Sequence, residues 1–223
     1  MAGSLPPVIA IDGPSASGKG TVAQLVARVL GFHYLDSGAL YRLVALAALG
    51  AGVNLEEELI IIDIALNINV NFNNGVWLEQ REVTNAIRDE AVSAAASRVA
   101  ALPRVRQALL ARQRAFRQPP GLVADGRDMG SVVFPDAVLK IFLTATPEAR
   151  AERRYKQLME KGLNANMVAL LQDICDRDTR DSVRAVAPLQ KCADATYLDT
   201  TALTVEAVAA QVLAYYRQAL LAP

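Results

Sequence analysis

The sequence predicts an α/β fold in which a parallel β-sheet carries helices on both faces. Short apolar runs that suit buried strands alternate along the chain with longer segments whose apolar residues recur at helical spacing. The first run ends at Asp12 and leads directly into a glycine-rich turn, as a buried parallel strand does. One stretch breaks the alternation with a strict two-residue period, and we interpret it as part of an insert.

Each predicted element rests on the spacing of its apolar residues and on the residues that mark its two ends. Residues 8–12 (VIAID) form the first predicted strand, and residues 21–30 form a helix that stops at Gly31. Pro103 and Pro147 each open a helix, and Thr204 caps the last one. On the same grounds, strands are expected at residues 33–35, 122–125, 138–143 and 196–199, and further helices at 39–49, 56–66, 90–102 and 164–180.

The two-residue period lies in the middle third of the chain. Residues 68–72 alternate apolar and polar side chains, Asn73, Asn74 and Gly75 form a turn signal, and residues 76–79 complete a predicted β-hairpin. We expect this hairpin and the following alanine-rich helix to form an insert at residues 63–101.

Composition excludes several classes of protein. The net charge of zero argues against a general binder of nucleic acid or of anionic membranes. A single histidine and two cysteines without metal-ligand spacing argue against histidine-dependent catalysis, a zinc site and a disulfide framework. The most apolar stretch, residues 43–55, is too short to span a bilayer, and no signal peptide is apparent. We therefore expect a soluble, cytoplasmic protein.

The strongest motif is GPSASGKGT at residues 13–21, which fits G-x-x-x-x-G-K between a predicted strand and a predicted helix. Such a P-loop turns backbone N–H groups toward phosphate oxygens, and its lysine, here Lys19, reaches the β- and γ-phosphates. Gly20 stands where Ser or Thr is usual, and G-K-G-T is common in kinases of nucleotides and small molecules. The alternative is an accidental glycine-rich turn. The predicted nucleotide contacts are Gly13, Pro14, Ser15, Ala16, Ser17, Gly18, Lys19, Gly20 and Thr21.

Two further motifs follow predicted strands, where parallel sheets bind their ligands. In DSGALYR (residues 36–42), Ser37 and Arg42 are candidates to hold a phosphate with Tyr41 packed nearby; the alternative is a helix start with Arg42 in solvent. In DGRD, Asp125 ends a strand, where a carboxylate can hold the water shell of Mg²⁺, and Arg127 and Asp128 follow it. The alternative there is an ordinary Asp/Gly turn.

A row of charges marks the later helices. Arg177, Asp181 and Arg184 fall at i, i+4 and i+7, which predicts one helical face with a carboxylate between two arginines. Such a face either neutralises phosphate or forms a surface row of ion pairs. Arg153 and Arg154 on the preceding helix are candidates for the same task. The arginines of residues 104–117 are expected to be mostly solvated, with one or two turned inward.

The chain resembles the bacterial-type cytidylate kinases of the nucleoside monophosphate kinase group. The resemblance covers essentially the whole chain and is carried by IDGPSASGKGT (11–21), LDSGALYR (35–42), ADGRDMGSVVFPDA (124–137) and RDTRDSVRAVAPL (177–189). It implies a P-loop kinase core at residues 1–62 and 102–223, with a short lid at about 150–166. The insert at 63–101 would be a small nucleoside-monophosphate-binding subdomain.

The resemblance also implies roles for individual residues. Mg²⁺ would accompany ATP on the P-loop, with no protein ligand assigned except a water-mediated contact to Asp125. Ser97, Arg106 and Asp128 would read cytosine, because a carboxylate accepts from its exocyclic amine and repels the carbonyl of uracil. Arg177 and Asp181 would hold the sugar. The substrate contacts implied are Asp36, Ser37, Tyr41, Arg42, Ser97, Arg106, Asp125, Arg127, Asp128, Arg177, Asp181 and Arg184, and the catalytic residues are Lys19, Arg153, Arg154, Arg177 and Arg184.

The implied reaction transfers the γ-phosphoryl group of ATP to CMP or dCMP, giving CDP or dCDP and ADP, within pyrimidine nucleotide metabolism. ATP and CMP or dCMP would be the only partners of a monomer, with neither nucleic acid nor membrane. One alternative is a P-loop kinase for another small acceptor, such as UMP or AMP. A GTP-dependent switch would need N-K-x-D and D-x-x-G motifs, which the sequence lacks, and an RNA-binding module would need a basic or aromatic platform.

Overall fold

The structure is a computed structural model that describes residues 5–72, 75–160, 162, 164–184 and 186–221. The predicted turn residues Asn73 and Asn74 lie outside this part of the chain, as do residues 161 and 163 of the predicted lid and residue 185 of the last motif. The chain divides into two compact units. The first unit comprises Met1–Leu35 with Phe116–Pro223, and the second comprises Asp36–Ala115.

Eight strands and eight α-helices are found among the described residues. In chain order they are β1 (Val8–Asp12), α1 (Lys19–Leu30), β2 (His33–Asp36), α2 (Ser37–Gly50), α3 (Glu58–Asn67), β3 (Val70–Asn71), β4 (Trp77–Leu78), β5 (Arg81–Glu82), α4 (Glu90–Val99), α5 (Pro103–Arg114), β6 (Leu122–Gly126), β7 (Leu139–Thr144), α6 (Pro147–Glu160), α7 (Met167–Val183), β8 (Thr196–Asp199) and α8 (Val205–Leu221). The predicted bounds of β1 and β8 are confirmed residue for residue.

The main sheet has five strands in the order β2-β6-β1-β7-β8. Strand β1 pairs in parallel with β6 on one side and β7 on the other, and Asp12 lies in register with Gly126 and Phe142. The loops that follow β1 and β6 therefore leave the same edge of the sheet side by side, where ligands of parallel sheets bind. The predicted α/β class, a parallel sheet with helices packed around it, is confirmed.

One core of the first unit forms where α1 and α8 pack on the central strands. It joins Ile9 and Ile11 of β1 with Ile141 of β7, Val26 of α1 and Val212 of α8, all of them buried. Burying one such aliphatic side chain contributes roughly 1.5–3 kcal/mol. Gly31, in the left-handed conformation with φ of 65°, ends α1 as predicted.

The second unit is built from helices and a small sheet. Helix α2 packs on α4 and α3 packs on α5. Strands β3, β4 and β5 form a three-stranded antiparallel sheet. The inserted sheet with a hairpin is confirmed, with a third strand that the sequence pattern did not indicate because both residues of β5 are charged and exposed. The compact unit that contains this sheet also includes α2, α3, α4 and α5.

Two local features differ from what the sequence indicates. Residues 129–133, where no helix was predicted, form a π-helical turn, Met129–Val133. Helix α7 ends at Val183, so Arg184 lies one residue beyond the predicted helical face. The chain turns back there, because the backbone N–H of Leu189 donates to the carbonyl of Asp181 at 2.7 Å. No helix in the described part of the chain has both the length and the apolar character that crossing a membrane requires.

Candidate active site

The P-loop begins with a close approach between two backbone segments. A Cβ atom at Gly13 would stand 2.0 Å from the carbonyl oxygen of Leu143 on β7. The N–H of Gly13 donates to the carbonyl of Gly126 at 3.3 Å. Glycine is therefore required here because the loop leaves the sheet in contact with both neighbouring strands.

The rest of the P-loop wraps around the first turn of α1. Gly18, with φ of 89°, precedes the helix, and Lys19 opens it. The Lys19 ammonium is buried and donates to the carbonyl of Pro14 at 3.1 Å, across the loop. The hydroxyls of Ser15 and Ser17 are buried without a hydrogen-bond partner. A phosphate bound in the loop would supply acceptors for these hydroxyls.

A cavity of about 400 Å³ lies against the outer side of the P-loop. Helix α6 contributes Arg153, Lys156 and Gln157 to it, and the chain after β8 contributes Thr200 and apolar side chains. Its mixed lining of cationic and apolar groups suits a nucleotide, which has a charged and a flat apolar end. The lining residues are Ala16, Ser17, Gly18, Lys19, Gly20, Thr21, Val22, Arg153, Lys156, Gln157, Thr200, Leu203, Val205 and Val208.

Asp125 lies at the end of β6 beside the P-loop. Its carboxylate is buried and accepts a hydrogen bond from the Tyr34 hydroxyl at 2.6 Å. A Cβ at Gly20 would stand 3.6 Å from Asp125 Oδ2. The described residues contain no group of three acidic, histidine or cysteine side chains that could hold a metal. A single carboxylate fits Mg²⁺ that is held chiefly by nucleotide phosphates and water.

A cluster of arginines surrounds Asp181 on α7. Arg127 donates from Nε to Asp181 Oδ2 at 2.7 Å, and Arg184 lies 3.9 Å from the other oxygen. Burial alone would raise the pKa of Asp181, but the positive charges of Arg127, Arg177 and Arg184 outweigh it and hold that pKa below its usual value. The predicted set of a carboxylate between arginines is thus brought together in space.

Two arginines of α6 donate hydrogen bonds to backbone carbonyls of the P-loop. Arg150 donates to the carbonyl of Ser15 at 3.2 Å and to Asp178 Oδ2 at 2.6 Å. Arg153 donates to the carbonyl of Ser17 at 3.1 Å and to both oxygens of Thr200. These bonds join the P-loop to α7 and to the chain after β8.

Asp12, the last residue of β1, is buried under the loop that follows β6. Its two oxygens accept hydrogen bonds from the backbone N–H groups of Met129 and Gly130, each at 2.8 Å. Burial raises the pKa of Asp12 to about 6, although both backbone hydrogen bonds act in the opposite direction. The nearby charge of Asp128 adds to the increase and that of Arg127 reduces it.

In the second unit, the DSGALYR segment begins α2. Asp36 caps the helix, because its Oδ1 accepts from the N–H of Ala39 at 2.9 Å. Arg42 lies 3.5 Å from Asp36 Oδ2, and its Nε is buried without a hydrogen-bond partner. Ser37 is buried at the first turn. The segment thus begins a helix, and Arg42 lies against the Asp36 cap instead of in solvent.

Arg106 is a buried cation in the same unit. Its guanidinium lies over the Tyr41 ring at 5.4 Å from the centroid and donates to the carbonyl of Ala100 at 3.0 Å. Ser97 of α4 is also buried. Arg112, from the same helix as Arg106, caps the end of α3 by donating to the carbonyl of Ile68 at 2.9 Å. Arg106 and Arg112 therefore both have structural partners inside this unit.

Comparison with known proteins places the chain in a family. The family model described as cytidylate kinase matches residues 9–218. The chain belongs to the cytidylate kinase family. Relatives named cytidylate kinase include one from Nitrosomonas europaea, 56% identical over 96% of each chain, and one from Burkholderia pseudomallei, 59% identical over 95% of this chain and 93% of that one.

A solved structure supports the fold alone. An uncharacterized protein from Eubacterium ventriosum superimposes with a TM-score of 0.52 at 12% identity, covering 95% of this chain and 98% of its own. Its identity is too low to carry any functional argument.

The site residues predicted from the cytidylate kinase resemblance fall into three groups. Residues 16–21 of the P-loop and Arg153 line the cavity, and Asp125 lies beside Gly20. Asp181 forms ion pairs with Arg127 and Arg184. Asp128 is buried at the start of the π-helical turn. The residues of the second unit form the group Asp36, Ser37, Tyr41, Arg42, Ser97 and Arg106. Arg154 is half-buried on α6.

Sequence reasoning missed several residues that support this site. Asp12 was recognised only as the end of a strand, and Asp178 only as part of a motif. Arg150 could have been found from its helical spacing with Arg153 and Arg154. Tyr34 and Thr200 left no signal, since each acts through a contact with a residue more than 45 positions away.

Proposed function

We propose that this protein transfers the γ-phosphoryl group of ATP to CMP or dCMP, giving CDP or dCDP and ADP. The observation that carries the proposal is the cytidylate kinase family match over residues 9–218, which spans both compact units. The names of the relatives do not favour UMP or AMP as the main acceptor. The P-loop and the arginines around Asp181 support the proposal because phosphoryl transfer needs cationic sites for phosphate.

The chemistry needs positioning and charge neutralisation but no general base. An oxygen of the CMP phosphate is already ionised and attacks the γ-phosphorus in line, while the bond to the β-phosphate oxygen breaks and ADP leaves. Lys19 and the backbone N–H groups of the P-loop would hold the ATP phosphates. Arg127 and Arg184 would hold the acceptor phosphate, with Arg153, Arg154 and Arg177 neutralising charge in the transition state.

The Mg²⁺ that accompanies ATP would supply positive charge against the phosphate oxygens. Asp125 is the candidate to orient its water shell, because the carboxylate lies beside Gly20 and is fixed by Tyr34. Tyr34 would thus act on the metal through Asp125.

Base recognition is assigned to buried polar groups. Asp128 would accept from the exocyclic amine of cytosine, and Arg106 and Ser97 would donate to its ring nitrogen and carbonyl. Uracil would place a carbonyl where cytosine has the amine, so the buried carboxylate of Asp128 would face an acceptor. Asp181 and Arg177 would bind the sugar hydroxyls.

The base assignment is tested by kcat/KM for CMP and UMP in Asp128→Ala. We expect the CMP/UMP ratio to fall by about 10-fold or more, since a site with unpaired buried polar groups discriminates strongly. Arg106→Ala should lower kcat/KM for CMP in the same range. Asp136→Ala is the matched control, because Asp136 is an exposed partner of Arg117. Ratios that stay unchanged in Asp128→Ala would overturn the base assignment.

The setting of the reaction belongs to the same proposal. We place it in pyrimidine nucleotide metabolism in the cytoplasm, carried out by a monomer whose partners are ATP and CMP or dCMP. The net charge of zero supports the absence of nucleic-acid and anionic-membrane partners. Light scattering at working concentration should give a mass near 23.9 kDa, and twice that mass would overturn the monomer.

A further inference from the structure

The carboxylate of Asp12 binds the backbone that directly follows Asp128. Oδ1 accepts from the N–H of Met129 and Oδ2 from the N–H of Gly130, both at 2.8 Å. These are the two peptide groups that directly follow Asp128. Asp12 itself directly precedes the P-loop and is 5% exposed, so the contact is closed to water.

Asp128 is also fixed through its own carbonyl. That oxygen accepts hydrogen bonds from the N–H groups of Val132 and Val133 at 2.9 and 3.2 Å, which closes the π-helical turn. With the carbonyl and the next two N–H groups all bonded, the peptide after Asp128 has one orientation. The remaining freedom of the Asp128 carboxylate is rotation about its two side-chain bonds.

A carboxylate is a costly way to cap this turn. Burial opposes the charge of Asp12, and the charge of Asp128 opposes it as well. An asparagine or serine would avoid the buried charge, but neither offers two equivalent acceptor oxygens to two adjacent N–H groups. A carboxylate adds a pair of hydrogen bonds, because each of its oxygens accepts from one of the two N–H groups. This pair fixes the orientation of the backbone at Met129 and Gly130 in addition to giving both N–H groups a partner.

We propose that Asp12 is a positioning residue for base selectivity, which acts by aiming the Asp128 side chain at the nucleobase of the acceptor. The inference rests on the proposed function, in which Asp128 reads cytosine. Asp12 touches neither nucleobase nor phosphate in this assignment. It joins the strand that carries the P-loop to the turn that carries the base-reading carboxylate.

The test is the CMP/UMP ratio of kcat/KM in Asp12→Asn. Asparagine keeps the size of the side chain and loses one of the two acceptors. We expect the ratio to fall by about 10-fold, since misplacing a positioned group by about 1 Å costs up to about 100-fold. KM for ATP should change by less than about threefold, because the hydrogen bonds of the Gly13 N–H and of the Lys19 ammonium do not involve Asp12.

The ratio separates positioning from a purely structural role. Partial unfolding removes active enzyme equally for both acceptors and leaves the ratio unchanged, so an unchanged ratio in Asp12→Asn overturns the inference. Asp136→Asn is the matched control: it has an exposed carboxylate in the same stretch of chain as the turn, and we expect the wild-type ratio. If Asp12→Asn does not fold, Asp12→Ser, with one acceptor in a smaller side chain, is measured in its place.

The outcome also distinguishes the inference from the function on which it rests. A wild-type protein that does not turn over CMP overturns the proposed function. A wild-type protein that prefers CMP to UMP, together with an Asp12→Asn variant of equal preference, overturns the role of Asp12 alone.

Discussion

Arg127 and Asp181 form a short, largely buried ion pair, with 2.7 Å between Nε and Oδ2. The guanidinium that the family resemblance assigns to the acceptor phosphate is thus already bonded to a carboxylate. A phosphate that binds Arg127 must either share this guanidinium with Asp181 or displace it. Asp181 therefore balances the charge of the arginine cluster.

The Asp181→Asn variant should be less stable and more responsive to anions. Removing one partner of a buried ion pair leaves an uncompensated charge, which costs about 3 kcal/mol in the free energy of unfolding. Inorganic phosphate should raise Tm more in the variant than in the wild type, because the anion replaces the lost carboxylate. Asp136→Asn, which breaks an exposed pair, should change stability by less than about 1 kcal/mol. Equal stability and equal phosphate response in Asp181→Asn and the wild type would contradict the account.

Asp12 should make a pH-dependent contribution to stability. Its pKa is about 6 in the folded protein and 3.8 as the reference value, so the folded state binds the proton more tightly. This contribution to the free energy of unfolding is present below pH 3.8 and is lost as pH rises through 6. The loss amounts to about 3 kcal/mol.

Asp12→Asn lacks this titration, and groups common to both proteins cancel in the comparison. The free energy of unfolding of the wild type minus that of the variant should therefore decrease between pH 4 and pH 7. Urea unfolding at several pH values measures the difference. A difference that is constant or increases with pH would contradict the burial of an ionisable Asp12.

Gly13→Ala should displace the P-loop. The added Cβ would stand 2.0 Å from the carbonyl oxygen of Leu143, and neither backbone segment can move without breaking sheet contacts. We expect a loss of about 1–3 kcal/mol in stability from overpacking and a higher KM for ATP. Gly50→Ala, at the end of α2 with nothing near its Cβ, is the control and should be neutral or slightly stabilising. Unaltered ATP kinetics in Gly13→Ala would argue against this loop geometry.

Arg150→Lys should weaken the link between the P-loop and α7. Lysine keeps the charge, but its single ammonium cannot reach the carbonyls of Ala145 and Ser15 and the carboxylate of Asp178 at once. We expect a loss of about 2 kcal/mol in the free energy of unfolding, measured by denaturant titration. Arg98→Lys, in an exposed pair with Glu56, should be neutral. An Arg150→Lys variant with the stability of the wild type would mean that the several hydrogen bonds of the Arg150 guanidinium are not needed.

Most of the sheet and its helices could be predicted from sequence because their periods are strong and their ends are marked. The apolar run of β1, the left-handed Gly31 and the helix-opening Pro103 are local signals. The π-helical turn at residues 129–133 has no such signal, since its first two N–H groups bond to Asp12, a residue 117 positions or more away. Strand β5 was missed because its two residues, Arg81 and Glu82, are both charged and exposed and show no apolar alternation.

The candidate site divides in the same way. The P-loop and the row from Arg177 to Arg184 follow from residue types at fixed spacing. Tyr34 and Thr200, which contact Asp125 and the P-loop, do not, because they act across long stretches of chain. The charge run of 104–117 predicts one or two arginines turned inward without showing which; Arg106 is buried against Tyr41, and Arg112 caps the end of α3.

The most direct test of the account is ADP formation from ATP and Mg²⁺ in a coupled assay, with CMP, dCMP, UMP, AMP and GMP offered separately. We predict strong turnover with CMP and dCMP, weak turnover with UMP and none with the purine nucleotides. Absence of turnover with every monophosphate, in a protein that still binds ATP, would contradict the assignment of cytidylate as the acceptor.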